Sequence, residues 1–286
     1  MNTPQGIYRS EAGARAVRDH YRGLLERWSV PNTHVRVPTR EGETFAVACG
    51  PETAPPVVLL HGSGTNTAMW MGDAAVWAEH FRVYAVDVIG EPGFSAPSRP
   101  PLGSAAYAGW LDEVLDGLGV ARAAVVGASL GGWLALDYAT RRPERVTRLA
   151  LLCPGGIGRQ KSGWMLKALL LRPFGRWGQR RTLEAVAGLR GAGTREFLDS
   201  MALTFAHFRP RMERLPAFSD DALRGLPMPV LAVVGAHDAM LDSHETARRL
   251  RRCVPHATVH VLRDAAHSIV GQASTVHHFL RGPSGT

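Results

Sequence analysis

A serine between two glycines, in residues 125–132, has surroundings that suit a nucleophile. The segment reads Val-Val-Gly-Ala-Ser-Leu-Gly-Gly and gives Gly127, Ser129 and Gly131 a Gly-x-Ser-x-Gly spacing. The apolar run before Gly127 predicts a buried strand, and the apolar run after Ser129 predicts a helix. A sharp turn between them would lift the serine hydroxyl above the sheet. Glycine is needed on both sides because larger side chains would collide there.

The same turn provides a place for negative charge. A helix beginning at Leu130 would direct free N–H groups and the positive end of its dipole at the serine. A second donor is expected from the turn His61-Gly62-Ser63-Gly64, which follows an apolar run predicted to be a buried strand. Glycine allows this turn to face an N–H into the cleft at the strand's carboxyl end. We therefore predict an oxyanion hole formed by the backbone N–H groups of Ser63 and Leu130, with the His61 ring bracing its turn.

A serine hydroxyl is a poor nucleophile until a base removes its proton, and histidine is the usual base because it titrates near neutral pH. The chain has 12 histidines. His267 lies in the loop after the last predicted strand, on the sheet edge where Ser129 is exposed. Four others border or lie in that strand or on the final helix: His256, His260, His277 and His278. Position alone therefore favours His267 as the base.

The base needs a carboxylate that fixes its tautomer and stabilises its charged form. Asp238 directly follows the predicted strand 230–234, again at a carboxyl end. Asp242 lies four residues later and is the rival candidate. The strand that ends at Cys153 offers no nearby carboxylate. Choosing Asp238 gives the chain order serine, aspartate, histidine.

Strands and helices alternate along most of the chain, which predicts an α/β fold with a mostly parallel eight-stranded sheet flanked by helices. The predicted strands are residues 35–38, 44–48, 57–60, 83–88, 123–126, 146–153, 230–234 and 258–262. A helical pattern over residues 10–28, with Ser10 as its N-cap, predicts an N-terminal arm. A further helix is expected over residues 70–81. Asp87 ends the fourth strand, where we expect it to bind backbone groups of neighbouring loops.

The alternation stops at Pro154 and resumes at Pro227. We predict that residues 1–154 and 227–286 form the core, with residues 1–30 as a helical arm, and that residues 155–226 form an inserted helical cap. Either a substrate cavity or the interior of the cap could hold its large apolar side chains, which are Trp164, Met165, Leu169, Leu170, Leu171, Phe174, Trp177, Phe197, Met201, Phe205 and Phe208. The cap has 13 basic and 6 acidic residues, which we expect to form a solvated outer face.

Composition limits the remaining possibilities. The net charge is +8, but the arginines are scattered without a nucleic-acid motif, so we expect no nucleic-acid partner. No apolar run approaches a membrane span and no signal peptide begins the chain, so we expect no membrane partner. Three widely spaced cysteines show no disulfide or metal pattern. We predict a cytoplasmic protein without cofactor or metal, acting on a small molecule, and leave a homo-oligomer open.

These features together resemble the α/β-hydrolase fold superfamily, in particular its carboxylesterase-like serine hydrolases with a helical cap. The resemblance extends from the His61-Gly62 turn to His267 and includes the loop 87–95 and the turn 127–132. It implies catalytic Ser129, Asp238 and His267, with oxyanion N–H groups from Ser63 and Leu130. Serine at position 129, where epoxide hydrolases and haloalkane dehalogenases have aspartate, argues against those chemistries. The cap matches only in position, so it implies no substrate.

The expected function is cofactor-independent hydrolysis of a carboxylic ester of an apolar or aromatic small molecule through an acyl-enzyme. Several alternatives remain open on the same residues: C–C bond hydrolysis, lactone or thioester cleavage, and acyl transfer. The His61-Gly62-Ser63-Gly64 turn also resembles that of C–C hydrolases acting on ring-fission products. A different class of function is a ligand-binding protein that kept the fold without turnover.

Overall fold

An eight-stranded sheet runs through the computed structural model, which describes residues 6–189 and 194–282. Its strands are β1 (Asn32–Val37), β2 (Thr44–Cys49), β3 (Pro56–Leu60), β4 (Arg82–Val86), β5 (Ala123–Ala128), β6 (Val146–Leu152), β7 (Val230–Gly235) and β8 (Thr258–Leu262). They lie in the order β1-β2-β4-β3-β5-β6-β7-β8. The β1–β2 and β2–β4 pairs are antiparallel and the other pairs are parallel. The predicted mostly parallel, eight-stranded α/β sheet is confirmed.

Ten α-helices connect or flank these strands in the described chain. They are α1 (Glu11–Leu25), α2 (Met71–Trp77), α3 (Ala106–Gly117), α4 (Leu130–Arg141), α5 (Gly163–Leu171), α6 (Gly175–Ala187), α7 (Arg195–His207), α8 (Asp220–Arg224), α9 (Ser243–Cys253) and α10 (Ala273–Arg281). None of these described helices is both long enough and apolar enough to cross a membrane.

Apolar side chains pack on both faces of the sheet. One face holds Trp110 and Trp133 from α3 and α4, and the other holds Trp70 and Trp77 at α2. All six residues of β5 and of β7 are buried, because parallel strands covered on both faces need apolar side chains throughout. The two strands whose carboxyl ends carry Ser129 and Asp238 are therefore held inside the core.

Helix α1 begins where the sequence predicts, with the Ser10 side chain accepting from the Gly13 N–H at 3.1 Å. It ends earlier than expected, at Leu25. The helix predicted over residues 70–81 ends earlier as well, at Trp77. A 3₁₀ turn at Thr67–Trp70 precedes it. The Asn66 side chain caps that turn by accepting from the Ala68 N–H at 3.2 Å, so a tighter turn starts the element before the predicted position.

The described residues between β6 and β7 form α5, α6, α7 and α8 and contribute no strand to the sheet. Residues 190–193, including the Arg190 counted among the basic residues, lie outside the described residues. Phe208 is buried, and Phe205 lies against Gly64. Five of the apolar side chains assigned to a cavity or to the interior are instead exposed: Met165, Leu169, Leu170, Phe174 and Trp177.

Candidate active site

Ser129 occupies a strained turn between β5 and α4. Its backbone angles are φ 52° and ψ −109°, in a region that L residues rarely adopt. The Ser129 N–H donates to the Leu152 carbonyl at 2.9 Å, and the Ser129 carbonyl accepts from the Trp133 N–H at 3.0 Å. Such a conformation costs about 1–3 kcal/mol and persists only where its surroundings fix it. Here the two hydrogen bonds and the buried β5 hold it.

The neighbouring glycines are required by close backbone contacts. A Cβ at Gly127 would collide with the carbonyl of Gly131, and a Cβ at Gly131 would collide with the carbonyl of Leu60. The collision predicted from the motif is therefore real, and its partners are backbone atoms that cannot rotate away. Any side chain at either position would displace the turn that presents Ser129.

The structure brings Ser129, His267 and Asp238 into one hydrogen-bonded row. His267 Nε2 lies 2.9 Å from Ser129 Oγ, and His267 Nδ1 lies 2.8 Å from Asp238 Oδ2. Two of the other candidate histidines lie elsewhere: His256 contacts the Met228 carbonyl, and His277 contacts His80. The side chains predicted from the sequence to meet at the sheet edge do so.

Asp238 is held as an ionised carboxylate. Its side chain is completely buried, and its Oδ1 accepts from the N–H groups of Met240 at 2.7 Å and Leu241 at 3.0 Å. Burial raises the pKa of Asp238, but the His267 hydrogen bond and charge and these two N–H groups outweigh it, so the pKa lies below its usual value. Because these contacts keep the buried Asp238 carboxylate from rotating, it fixes the orientation of the His267 imidazole.

Asp242, the rival acid, performs a structural task. It is the N-cap of α9, where its side chain accepts from the Glu245 N–H at 3.0 Å. It also pairs with Arg159 at 3.5 Å. Because the carboxylate is directed into the first turn of α9, it does not contact His267.

The turn that carries Ser63 and the first residue of α4, Leu130, both lie beside Ser129. A Cβ on Gly62 would lie 3.5 Å from Ser129 Cβ, which places the Gly62–Ser63 turn against the nucleophile. Leu130 is the first residue of α4, where N–H groups have no intrahelical acceptor. Among the described residues, no hydrogen-bond acceptor pairs with the Ser63 N–H. The role of these two N–H groups as an oxyanion hole stays a prediction.

His61 braces the turn, as the sequence predicts. Its Nδ1 lies 2.9 Å from the Gly62 carbonyl, and its Nε2 accepts from the Val88 N–H at 2.9 Å. Burial lowers the pKa of His61 to about 4. The ring is therefore neutral near pH 7, with Nδ1 as donor and Nε2 as acceptor.

Asp87 binds the backbone of the loops around it, also as predicted. It accepts from the N–H groups of Thr67 and Phe94 at 2.9 and 2.8 Å, and from the Tyr21 hydroxyl at 2.9 Å. Burial raises the pKa of Asp87 to about 6 although these donors oppose the shift. This carboxylate joins α1 to the loops beside the site.

The sequence reasoning missed Glu91, which binds the turn at Ser63 and Gly64. Its Oε2 accepts from the Gly64 N–H at 2.7 Å and from the Ser63 hydroxyl at 3.1 Å. The side chain is buried, and burial raises the pKa of Glu91 to about 7 although the Gly64 N–H and the charge of Arg99 oppose the shift. The sequence places Glu91 in the loop 87–95, but no local pattern shows that the Glu91 carboxylate contacts residues 63 and 64.

Cys153 completes a group of residue types that can bind metals. Its Sγ lies with ligand atoms of Asp238 and His267 within 4.8 Å of one another. Burial raises the pKa of the Cys153 thiol, and the charge of Asp238 raises it further, so the thiol stays protonated. Asp238 and His267 already bind each other. We therefore assign no metal to this group. The Cys153 backbone has a φ of 42°, so the chain is strained directly after β6 ends at Leu152.

Comparisons with known proteins agree with this geometry. Residues 57–276 match the Alpha/beta hydrolase family, and the chain belongs to that family. It is 31% identical to the carboxylesterase YbfK of Bacillus subtilis over 257 residues, covering 86% of each chain. It is 30% identical to the uncharacterized carboxylesterase nap of the same organism, covering 86% of this chain and 84% of that protein. The crystal structure of YbfK superimposes with a TM-score of 0.81, covering 94% of this chain and 96% of that chain.

Proposed function

We propose that this protein is a serine carboxylesterase that cleaves esters of small molecules through an acyl-enzyme. The observation that carries the proposal is the continuous hydrogen-bonded row from Ser129 Oγ through the His267 ring to the buried Asp238. The similarity to two carboxylesterases over most of the chain supports an ester as the bond that is cleaved.

In the proposed mechanism, Ser129 Oγ attacks the ester carbonyl while His267 Nε2 takes its proton. Asp238 accepts from Nδ1 and stabilises the imidazolium that forms. The oxyanion binds the N–H groups of Ser63 and Leu130, which are fixed in place before the reaction. His267 then protonates the departing alcohol. Water, deprotonated by the same histidine, attacks the acyl-enzyme and releases the acid and free Ser129.

We further propose that residues 155–226 act as a cap on a core formed by residues 1–154 and 227–286, with residues 1–30 as its N-terminal arm. Three contacts support this division. Lys161 Nζ donates to the Asp238 carbonyl at 2.9 Å, the Ser268 N–H donates to the Ala187 carbonyl at 3.1 Å, and Phe205 lies against Gly64. This segment thus contacts the loops that carry Gly64, Asp238 and Ser268, and the apolar side chains of its helices would select an apolar or aromatic substrate.

The remaining properties follow from composition. We propose a cytoplasmic enzyme that needs no cofactor or metal and binds no nucleic acid, with a homo-oligomer left open. Cys49, Cys153 and Cys253 are buried and form no disulfide in the described chain, as expected of a protein from a reducing compartment.

The test combines turnover with covalent labelling. The purified protein is assayed with p-nitrophenyl esters from acetate to octanoate, beside a ring-fission dienone and a thioester. A fluorophosphonate should label Ser129 stoichiometrically and abolish ester turnover in parallel. Labelling without turnover of any ester would instead favour a binding protein, and a dienone kcat/KM above that of every ester would favour C–C hydrolysis.

A further inference from the structure

A cluster of large apolar side chains is exposed on α5 and the start of α6. Nine such side chains are exposed in the described chain, and six lie between residues 165 and 177. We call these six the apolar face: Met165, Leu166, Leu169, Leu170, Phe174 and Trp177. Leu166 and Leu170 are exposed by 63% and 66%. Single exposed apolar residues are ordinary on protein surfaces, but a clustered group marks a contact site.

The members of the apolar face are neighbours in space. Leu166, Leu169 and Leu170 follow the spacing of three and four residues that puts side chains on one side of a helix. The rings of Phe174 and Trp177 lie 5.7 Å apart between centroids. The described part of α5 has no buried residue. Water is a poor environment for such a helix, so this face needs a cover.

The face belongs to the segment that rests on the candidate site. Lys161, just before α5, binds the Asp238 carbonyl, and Ala187, the last residue of α6, binds the Ser268 N–H beside His267. A partner on the apolar face would therefore bind the same segment of chain that contacts the loops of Asp238 and His267.

The charge around the face selects the kind of partner. Residues 163–187 contain five basic residues and one acidic residue, Glu184. Glu184 pairs with Arg180 and Arg181, and Asp199 of α7 also pairs with Arg180, whereas Arg172 at the end of α5 is exposed. Two copies of the chain packed face to face would bring like charges together, which opposes dimerisation through this surface. An anionic surface would be attracted.

The aromatic residue at the edge of the face has the amphipathic character of interfacial residues. The Arg181 guanidinium lies 5.5 Å from the centre of the Trp177 ring. An apolar ring beside a cation suits the boundary between acyl chains and charged headgroups. The nine residues of α5 extend about 14 Å, so the helix can lie in that boundary but cannot cross a bilayer.

We propose that the apolar face of α5 and α6 docks on an anionic lipid surface. The six side chains enter the headgroup boundary while the surrounding arginines contact lipid phosphates. The absence of a spanning run led us to expect no membrane partner, but lying on a surface requires no span.

Vesicle co-sedimentation tests the proposal with the full-length protein. Phosphatidylcholine vesicles containing about a third phosphatidylglycerol should bind it about tenfold or more tightly than vesicles of phosphatidylcholine alone, and added salt should weaken that binding. The double variant Leu166→Gln, Leu170→Gln should bind the anionic vesicles at least about tenfold more weakly. The matched control Met212→Gln, Val270→Gln changes two exposed apolar residues outside the face and should bind like the wild type.

Further measurements separate this result from folding and from catalysis. The double variant should keep the Tm of the wild type, because both leucines are exposed. Ser129→Ala should bind vesicles like the wild type, so docking is scored even if the esterase proposal fails. Equal binding by the double variant, or no binding to anionic vesicles, would overturn the proposal. The proposal would also fail if the wild type and the control were dimers in light scattering, the double variant were a monomer, and none of them bound vesicles. That result would assign the face to a second copy of the chain.

Discussion

At the carboxyl edge of the sheet, the strands that present Ser129 and Asp238 are completely buried, whereas the described part of α5 has no buried residue. The edge joins its polar side chains to one another and to backbone groups, as Asp238 does with three donors. Helix α5 instead exposes its leucine side chains to solvent. A site that moves protons needs fixed distances, which burial and hydrogen bonds provide. A surface that meets a partner must remain uncovered until the partner arrives.

The largest expected effect lies at the buried edge. Ser129→Ala should lower kcat for a p-nitrophenyl ester by roughly 10³-fold or more in a folded protein, because the covalent route is lost. The matched control is Ser162→Ala, which changes an exposed serine before α5 that makes no capping hydrogen bond. It should leave kcat unchanged. Near-wild-type turnover by Ser129→Ala would remove the proposed nucleophile.

The second prediction distinguishes the two carboxylates that follow β7. Asp238→Asn should lower kcat by about 10²-fold or more, because the amide no longer stabilises the imidazolium or fixes its tautomer. Asp242→Asn should stay within about twofold of the wild type, since asparagine is also a good N-cap for α9. Steady-state kinetics with matched unfolding curves measures both. The reverse ranking would contradict the row of hydrogen bonds at the sheet edge.

The third prediction concerns the loss of folding stability that results from burying the Glu91 carboxylate. The folded-state pKa of about 7 lies above the ordinary value of 4.5, so the folded protein binds more protons than the unfolded chain between these pH values. The free energy of unfolding of the wild type should therefore fall, relative to Glu91→Gln, by about 3 kcal/mol as pH rises from about 4.5 to above 7. Urea unfolding at several pH values measures this, and a constant difference would contradict it.

The fourth prediction tests Glu91 as a support for the turn at Ser63 and Gly64, which carries one of the two proposed oxyanion N–H groups. Glu91→Ala removes the acceptor for the Gly64 N–H and the Ser63 hydroxyl, so the turn should loosen and kcat should fall about tenfold with little change in KM. Glu91→Gln keeps an acceptor oxygen of the same reach and should retain most of the activity. If both variants lose activity equally, the negative charge rather than the hydrogen bonds would be the important property.

The smallest expected effect is a change in substrate preference when the helices of residues 155–226 are replaced. Exchanging residues 155–226 for the corresponding segment of a related carboxylesterase should change the ranking of ester chain lengths while keeping turnover. Each methylene in an apolar pocket is worth only about 1–3 kcal/mol, so the preference should shift gradually. The measurement is kcat/KM over an ester series with a folded chimera. An unchanged chain-length profile would place selectivity in the core instead.

Much of the fold could be predicted because its signals are local. Buried parallel strands are short apolar runs, and the turn at Ser129 needs glycine at two fixed positions. These patterns predicted eight strands, the elements that hold Ser129, Asp238 and His267, and the roles of His61 and Asp87. Errors of a few residues arose at helix ends, where a side-chain cap such as Asn66 decides the start.

The tertiary structure decided what depends on distances between remote segments. His267 and Ser129 are 138 residues apart in the chain, yet their reacting atoms lie 2.9 Å apart. Asp242 and Asp238 are alike in the sequence, and only the start of α9 shows which one caps a helix. The contacts of Glu91 with Ser63 and Gly64 and the exposure of the α5 leucines were also unpredictable. Periodicity shows that a side chain is apolar or charged, but packing decides which groups it meets and whether water still reaches it.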